Sequence, residues 1–152
     1  LPNSYERFGM FEAPKYVSWS YGNRSQLIRI PAATGERVRM ELRSPDPTVN
    51  PYLAFALVIS AGLYGIENNL SLPESLNVDL YNIDKSISDR LIRLPENLGD
   101  AIKLAEQSEL VKNTLPEEVI SSFLNLKKKE HKAYCEAGDK REYFLINYFR
   151  EV

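Results

Sequence analysis

Six arginines and four glutamates fall within residues 1–50: Arg7, Arg24, Arg29, Arg37, Arg39 and Arg43, with Glu6, Glu12, Glu36 and Glu41. Their densest run is Arg37-Val38-Arg39-Met40-Glu41-Leu42-Arg43, followed by Ser44-Pro45-Asp46-Pro47. The alternation predicts a β-strand, in which successive side chains point to opposite faces. Arg37, Arg39, Glu41 and Arg43 then share one face, and Val38, Met40 and Leu42 form the core side. Guanidinium groups suit planar, two-pronged recognition of carboxylate or phosphate. A carboxylate set among arginines that hold phosphate can share a bound cation with it, because Mg²⁺ prefers carboxylate and phosphate oxygens. An ion-paired surface strand produces the same alternation. The pattern alone leaves both readings open.

Other chemistries drop out. The chain has no Gly-rich loop ending in Lys-Ser/Thr, no Gly-x-Gly-x-x-Gly and no nucleophile elbow. No Cys–His or Ser–His pairing is available for nucleophilic catalysis. His131 and Cys135, each the sole residue of its type, cannot build a zinc site. What remains is a polyanion site, the electrostatic recipe for phosphoryl transfer, in which positioning and charge neutralisation carry the catalysis. The net charge of −2 offers nothing to nucleic acid or an anionic membrane. A single cysteine excludes an internal disulfide and points to a reducing, cytoplasmic compartment. At 152 residues, with 43% hydrophobic and 26% charged residues, the composition is that of one globular domain. The opening Leu1-Pro2-Asn3 lacks an initiator Met and any leader pattern, which predicts an excised segment of a longer polypeptide.

The elements that must position these residues can be read in order. Residues 1–14 are irregular around Pro2, Gly9 and Pro14. Lys15–Tyr21 and Gln26–Ile30 are β-branched and aromatic enough for strands, with a turn at Gly22-Asn23-Arg24-Ser25. With the Arg37–Arg43 strand they suggest an antiparallel meander. Asn50 can cap a helix with Pro51 in its first turn. From Tyr52 to Ile66 no residue is charged, and apolar side chains wrap most of the circumference. Such a helix should be buried, and it is too short for a membrane span of ~20 residues. Residues 67–94 form a long connection with little period. Three further helices follow: from Pro95 to about Ser108, from a cap at Thr114 or Leu115 to Gly138, and a last one capped by Asp139. Its packing side is Tyr143, Phe144, Tyr148 and Phe149. Lys127-Lys128-Lys129 reads as a solvated face.

Taken in order, five motifs resemble one family. They are Asn3-Ser4-Tyr5-x-Arg7; Glu12-Ala13-Pro14; Asn23-Arg24-Ser25; Ile28-Arg29-Ile30-Pro31; and Arg39-x-Glu41-x-Arg43-x-x-Asp46-Pro47-x-x-Asn50-Pro51-Tyr52. Together they resemble the C-terminal part of the catalytic domain of type I glutamine synthetase. Ala61-Gly62-Leu63-x-Gly65-Ile66 continues the match, which is strong to about Asn69 and looser to about Leu94. The resemblance implies an α+β fold. Short antiparallel strands of the catalytic sheet precede a buried helix and a C-terminal helical region. Residues 1–152 would be one portion of that domain, with active-site strands and loops in 1–50 and a helical part in 51–152.

The resemblance also implies roles. Arg7 matches a glutamate-binding arginine, and Glu12 the flap glutamate that closes the site and accepts ammonium's proton. Arg24 matches the arginine that touches both glutamate and the transferred phosphate. Arg29 and Arg39 match arginines at the ATP phosphates, Glu41 a ligand of the divalent metal (Mg²⁺ or Mn²⁺), and Arg43 a glutamate-carboxylate contact. The implied reaction joins glutamate and ammonia at the expense of ATP through γ-glutamyl phosphate, in a dodecamer-type homo-oligomer. The same scaffold serves ligases that join glutamate to a polyamine or other amine. A non-catalytic paralogue is the third reading, against which intact Glu12, Arg24, Glu41 and Arg43 argue. The segment departs from the pattern in three places. It is shorter between Arg7 and Glu12, lacks the lysine some members place near ATP before Arg37, and ends without the usual His-Pro or Thr-Pro turn. Tyr81 reads as an ordinary loop tyrosine. Mg²⁺ wants about six oxygens, and this chain offers only Glu41, so the segment alone is expected not to turn over.

Overall fold

The turn at Gly22-Asn23 decides the path of the first fifty residues. Gly22 adopts φ +71°, a left-handed conformation that glycine enters without a Cβ penalty. Its amide donates to the Ile30 carbonyl at 3.0 Å, and the Ile28 amide donates to the Ser18 carbonyl at 3.0 Å. The six residues 22–27 therefore carry the chain back to its starting level, and β1 (Trp19–Tyr21) pairs in parallel with β2 (Ile28–Ile30). Parallel strands usually need a crossover of about a dozen residues. Here each strand is three residues long, so the loop need cover only ~10 Å. β3 (Glu41–Leu42) adds antiparallel to β2, giving the order β1-β2-β3. The α+β class holds, but the meander does not.

This computed structural model describes residues 1–149. They fall into two compact units, Asn3–Glu96 with Leu1, and a second from Asn97 with Pro2. In the first unit the expected strand from Lys15 divides. Tyr16 bridges Arg93, and the Val17 and Leu94 amides donate to Ile92 and Lys15 carbonyls at 2.8 and 2.9 Å. The Trp19 carbonyl accepts from Leu76 at 3.0 Å, and its indole donates to Pro73 at 2.8 Å. The long connection thus lies along the first strand. The expected strand over 37–43 shrinks to two residues, because Gly35–Arg37 closes a 3₁₀ turn. Val38 and Met40, expected in the core, are 67% and 53% exposed. No sheet or helix of this unit covers that face.

A second correction concerns the uncharged helix, α1 (Pro51–Glu67). Asn50 caps it as expected, accepting from the Tyr52 and Leu53 amides at 3.0 and 3.3 Å. Yet none of its residues is buried, and Phe55 and Ile59 are 66% and 60% exposed. Composition made it apolar all round; this chain supplies too little surface to cover it. The buried set of the first unit is instead small and partly polar: Ala13, Pro14, Tyr16, Ser20, Ser25, Gln26, Leu27 and Leu80. Ser25 ties it together. Its hydroxyl accepts from the Leu80 amide at 3.1 Å and donates to Asn23 Oδ1 at 2.8 Å. A short helix, α2 (Lys85–Ser88), follows in the long connection.

The second unit is helical: α3 (Leu98–Gln107), α4 (Glu109–Thr114), α5 (Glu117–Glu136) and α6 (Lys140–Tyr148). Leu98, Ile102 and Leu124 are buried. Three expectations shift. α4 was missed and holds Thr114, so α5 begins after Pro116 without a side-chain cap. Lys127 and Lys128 are not merely solvated: they pair with Glu130 at 2.6 Å and with Glu106 of α3. Phe149 lies past α6 and is 70% exposed. Asp139 does cap α6, accepting from Arg141 and Glu142 amides at 2.8 and 3.1 Å. Tyr143, Phe144 and Tyr148 form one aromatic cluster, the first two against Tyr134 of α5. The Tyr148 hydroxyl donates to Glu130. Burial would raise the Glu130 carboxyl, but hydrogen bonds from Lys127 and Tyr148 outweigh it and hold the group below its ordinary value.

Two substitutions test this arrangement. Ser25→Ala leaves the buried Leu80 amide without an acceptor and should destabilise the first unit by about 1–3 kcal/mol. Amide exchange at Leu80 and Ile28 reads this, and unchanged protection would remove Ser25 from the core. Val38→Asp should shift stability by no more than about 0.5 kcal/mol, as at an ordinary surface position. Urea unfolding that shows collapse would return Val38 to the core side.

Candidate active site

The β2–β3 register sets Arg29 opposite Glu41. Opposed positions on one face of an antiparallel pair lie within side-chain reach. Arg29 Nη1 donates to Glu41 Oε2 at 2.7 Å, and Arg39 donates to Oε1 through Nη2 at 2.8 Å and Nε at 3.2 Å. Each carboxylate oxygen is thus held by a different guanidinium. Arg29 Nε also donates to the Gly22 carbonyl at 3.1 Å, and Arg39 Nη1 to the Arg37 carbonyl at 3.2 Å. The Arg29–Glu41 side chains are the more sheltered pair, 18% and 27% exposed. Arg29's hydrogen bond holds the Glu41 carboxyl below its ordinary value; partial burial opposes it, and Arg39 adds to the lowering.

A second cluster forms around Arg43, just past β3, whose amide donates to the Leu27 carbonyl at 2.9 Å. Arg43 Nε donates to the Arg24 carbonyl at 3.1 Å and Nη2 to the Glu12 carbonyl at 2.7 Å. One guanidinium therefore binds together the backbones of two loops. The Arg24 and Glu12 side chains meet at 3.2 Å but are 60% and 55% exposed. A surface pair of that kind contributes at most about 1 kcal/mol. Glu12 sits at φ +66° beside Phe11 at φ +49°, a left-handed conformation costing non-glycine residues roughly 1–3 kcal/mol. The strained tip is closed by two hydrogen bonds, Gly9 amide to Ala13 carbonyl at 3.1 Å and Ala13 amide to Met10 carbonyl at 2.8 Å. Arg7 donates to the Ser44 carbonyl and lies 5.1 Å from the Phe8 ring centre. Its buried Nε has no protein partner.

The seven residues singled out from sequence therefore form two groups. Arg29, Arg39 and Glu41 make one, while Glu12, Arg24 and Arg43 make the other, with Arg7 attached through Ser44. Sequence reasoning missed what fixes the second group. Asn23 and Gln26 donate to the Val78 carbonyl at 2.9 and 3.2 Å. The Tyr81 hydroxyl, left as an ordinary loop group, lies 3.4 Å from the Arg24 carbonyl. Burial raises the Tyr81 phenol, with Arg43 opposing and Glu12 and Asp79 adding. No periodicity marks residues 73–82. The available signal was only the Asn-Arg-Ser turn, whose side chains could staple a neighbouring backbone.

Among the described residues no three His, Cys, Asp or Glu side chains gather as a metal site. Glu41 alone fits a cation that takes most of its oxygens from elsewhere, since Mg²⁺ sites often use one or two carboxylates plus substrate phosphates. Its two oxygens carry about four lone-pair positions, enough to accept from arginine and bind a cation as well. No helix among the described residues is long and apolar enough to cross a membrane.

Guanidiniums bracketing one carboxylate, on a small sheet with helices after it, define an α+β segment with an arginine-rich edge. Known proteins give it a family. Residues 1–145 match the profile described as glutamine synthetase, catalytic domain. A glutamine synthetase from Methanosarcina mazei is 49% identical over 135 residues, covering 87% of this chain and 30% of that protein. In solved structures, a GmaS/ADP complex in its first conformation is similar at TM-score 0.73 and 30% identity, over 91% of this chain and 30% of that one. A Plasmodium falciparum glutamine synthetase shares the fold at TM-score 0.70 and 23% identity, over 95% and 37%. The chain belongs to the glutamine synthetase family, by way of its catalytic domain, and spans about a third of the length of these relatives.

A titration tests the bracket. A carboxyl lowered in the folded state keeps its pairing above its unfolded value and loses it as pH falls through the folded one. Glu41's ordinary value is 4.5, so its ¹³C carboxyl shift should stay that of a carboxylate at pH 4.5 and move only in stronger acid. The Arg29 and Arg39 Nε–H signals should move with it. A midpoint at or above 4.5 would mean that the arginines do not hold Glu41.

Proposed function

We propose that this chain is the glutamate- and nucleotide-phosphate-binding portion of an ATP-dependent glutamate–ammonia ligase. The observation that carries it is the bracket Arg29–Glu41–Arg39, two residues along the chain from the arginine that holds Glu12 and Arg24. Two charged clusters this close can grip two polyanions, or two ends of one reacting pair.

Arg29 and Arg39 neutralise the ATP phosphates, and Arg24 reaches between phosphate and glutamate. Glu41 is a ligand for Mg²⁺ or Mn²⁺, which when bound neutralises phosphate charge. Arg43 spends Nε and Nη2 on backbone carbonyls and keeps its Nη1 edge for the glutamate carboxylate, with Arg7 nearby through Ser44. In the first step a γ-carboxylate oxygen of glutamate bonds to the γ-phosphorus of ATP and ADP leaves. In the second the nitrogen of ammonia bonds to the acyl carbon and phosphate leaves, with a proton passing to Glu12. The exposed, weakly paired Glu12 on its strained tip is suited to swing between Arg24 and the incoming ammonium. An ADP-bound relative supports a nucleotide role. The remaining metal ligands belong to a longer, cytoplasmic polypeptide that assembles as a dodecamer-type homo-oligomer, so the segment alone does not turn over.

In the full-length polypeptide, Glu12→Ala should leave acyl-phosphate formation nearly intact while ammonia-dependent glutamine formation falls by roughly 10²–10⁴, the share of a positioned acid–base group. Rapid-quench assays separate the two steps, and an amine panel fixes the acceptor. Undiminished glutamine formation would remove Glu12 from the mechanism.

A further inference from the structure

A hollow of about 200 Å³ opens at the foot of the loop that carries Glu12, and all of its lining lies in the first unit. Its walls are half-buried and largely apolar. Tyr5 and Phe8, edge to face with ring centres 5.9 Å apart, are joined there by Leu94 and Pro95. Three charged side chains complete the lining, and their charges do not cancel. Arg93 pairs with Glu96 at 3.4 Å and lies 5.9 Å from the Tyr16 ring centre. Lys15 enters none of the ion pairs among the described residues. The hollow therefore holds one positive charge in excess.

Lys15 is nevertheless held in place. Its carbonyl accepts from the Leu94 amide at 2.9 Å, which ties the two sides of the hollow together. Its stem runs over Gly9, where a Cβ would stand 3.2 Å from Lys15 Cδ and 3.7 and 3.8 Å from its Cβ and Cγ. Gly9, at φ +83°, begins the loop that its own amide closes on the Ala13 carbonyl at 3.1 Å. A lysine can bury its methylene stem and keep its charged head free. Here the stem packs on the loop and the ammonium is left for a ligand. One ammonium is matched by one negative charge. A dianion would set its second charge near Glu96, and an uncharged ring would leave Lys15 without a partner. Aromatic walls with a single placed charge suit a flat apolar body with one ionic end.

We propose that this hollow binds a small monocarboxylate with a planar apolar body, of the aromatic-acid class. The carboxylate accepts from Lys15 Nζ, and the ring lies among Tyr5, Phe8 and Pro95. Because the Lys15 stem rests on Gly9, occupancy bears on the loop that carries Glu12. The hollow uses none of the seven residues of the two charged clusters, so the inference stands or falls independently of the ligase reading.

The test is titration of benzoate, acetate and benzyl alcohol into the intact chain, followed by calorimetry and by amide and ring signals. Benzoate should bind and move the Gly9, Ala13 and Leu94 amides together with the Tyr5 and Phe8 rings. Acetate and benzyl alcohol each lack one half of the interaction and should bind at least about tenfold more weakly. Lys15→Met keeps the stem and removes the charge; it should weaken benzoate at least about tenfold, as expected for a lost hydrogen bond to a charged group. Lys15→Arg should retain most of the affinity, and unchanged Gly9 and Leu94 amide signals in the free variants show that both are folded. Equal benzoate binding by Lys15→Met and the parent would overturn the inference. So would a parent chain that ignores benzoate, or benzoate that moves the Arg29 and Arg39 Nε–H signals in place of Gly9.

Discussion

Glu41 stands where the two strands nearest the site meet, and its carboxylate fixes what surrounds it. It accepts from Arg29 across the β2–β3 register and from Arg39 two residues before it. Without that carboxylate, two like charges would face each other on a sheet edge only two residues deep, where two ladder pairs cannot hold register alone. Arg39 then passes the constraint to Arg37 through its carbonyl, and Arg29 passes it to Gly22 at the mouth of the crossover loop. A carboxylate so engaged keeps its charge into acid, and its partners keep their geometry. The electrostatic field at this edge is therefore built by the protein's own side chains, and fields organised in advance are the effective ones in catalysis.

The second cluster depends on backbone rather than on charge pairs. The short parallel crossover folds residues 22–27 into a knot of hydrogen bonds, and residues 77–82 close over it through Val78, Leu80 and Tyr81. Arg43 then joins this knot to the Glu12 tip by two carbonyls. The scaffold is tied together by hydrogen bonds, while the two groups at its surface, Glu12 and Arg24, are exposed and weakly paired. That division suits a site where one carboxylate must change partners during a reaction.

Polar spacing was legible in the sequence and apolar environment was not. Arg29, Arg39, Glu41 and Arg43 were singled out from alternation and motif order, and the fold gathers them into two clusters. The caps at Asn50 and Asp139 were equally plain, because a cap is a local interaction between side chain and the next turn. Strand pairing failed for a nonlocal reason. A Gly-Asn turn announces reversal, but whether the chain pairs at once or loops back beside itself depends on strand length, which β-propensity does not define. The staple from residues 73–82 was hidden because its acceptors are backbone carbonyls, identical at every position. Burial of Val38, Met40 and α1 was misjudged because hydrophobicity states what a surface requires, not whether the chain at hand provides it.

That last point separates the two kinds of surface in this protein. Many charged side chains find partners within the segment: Glu41 with Arg29 and Arg39, Glu12 with Arg24, and Arg43 with the backbone carbonyls of Arg24 and Glu12. The apolar ones largely do not. Tyr52, Phe55, Ile59, Leu63 and Ile66 follow one another at three- and four-residue spacing and all remain at least half exposed. Each would contribute about 1.5–3 kcal/mol if buried, so the stripe as a whole is comparable to the entire margin of a typical domain, roughly 5–15 kcal/mol. The segment's chemistry is thus organised by local polar contacts that need little core. Its stability is governed by apolar faces that require a covering surface. Substitutions in the two sets should behave differently for that reason: changes among the arginines and glutamates act on ligand affinity, and changes along α1 act on association and solubility.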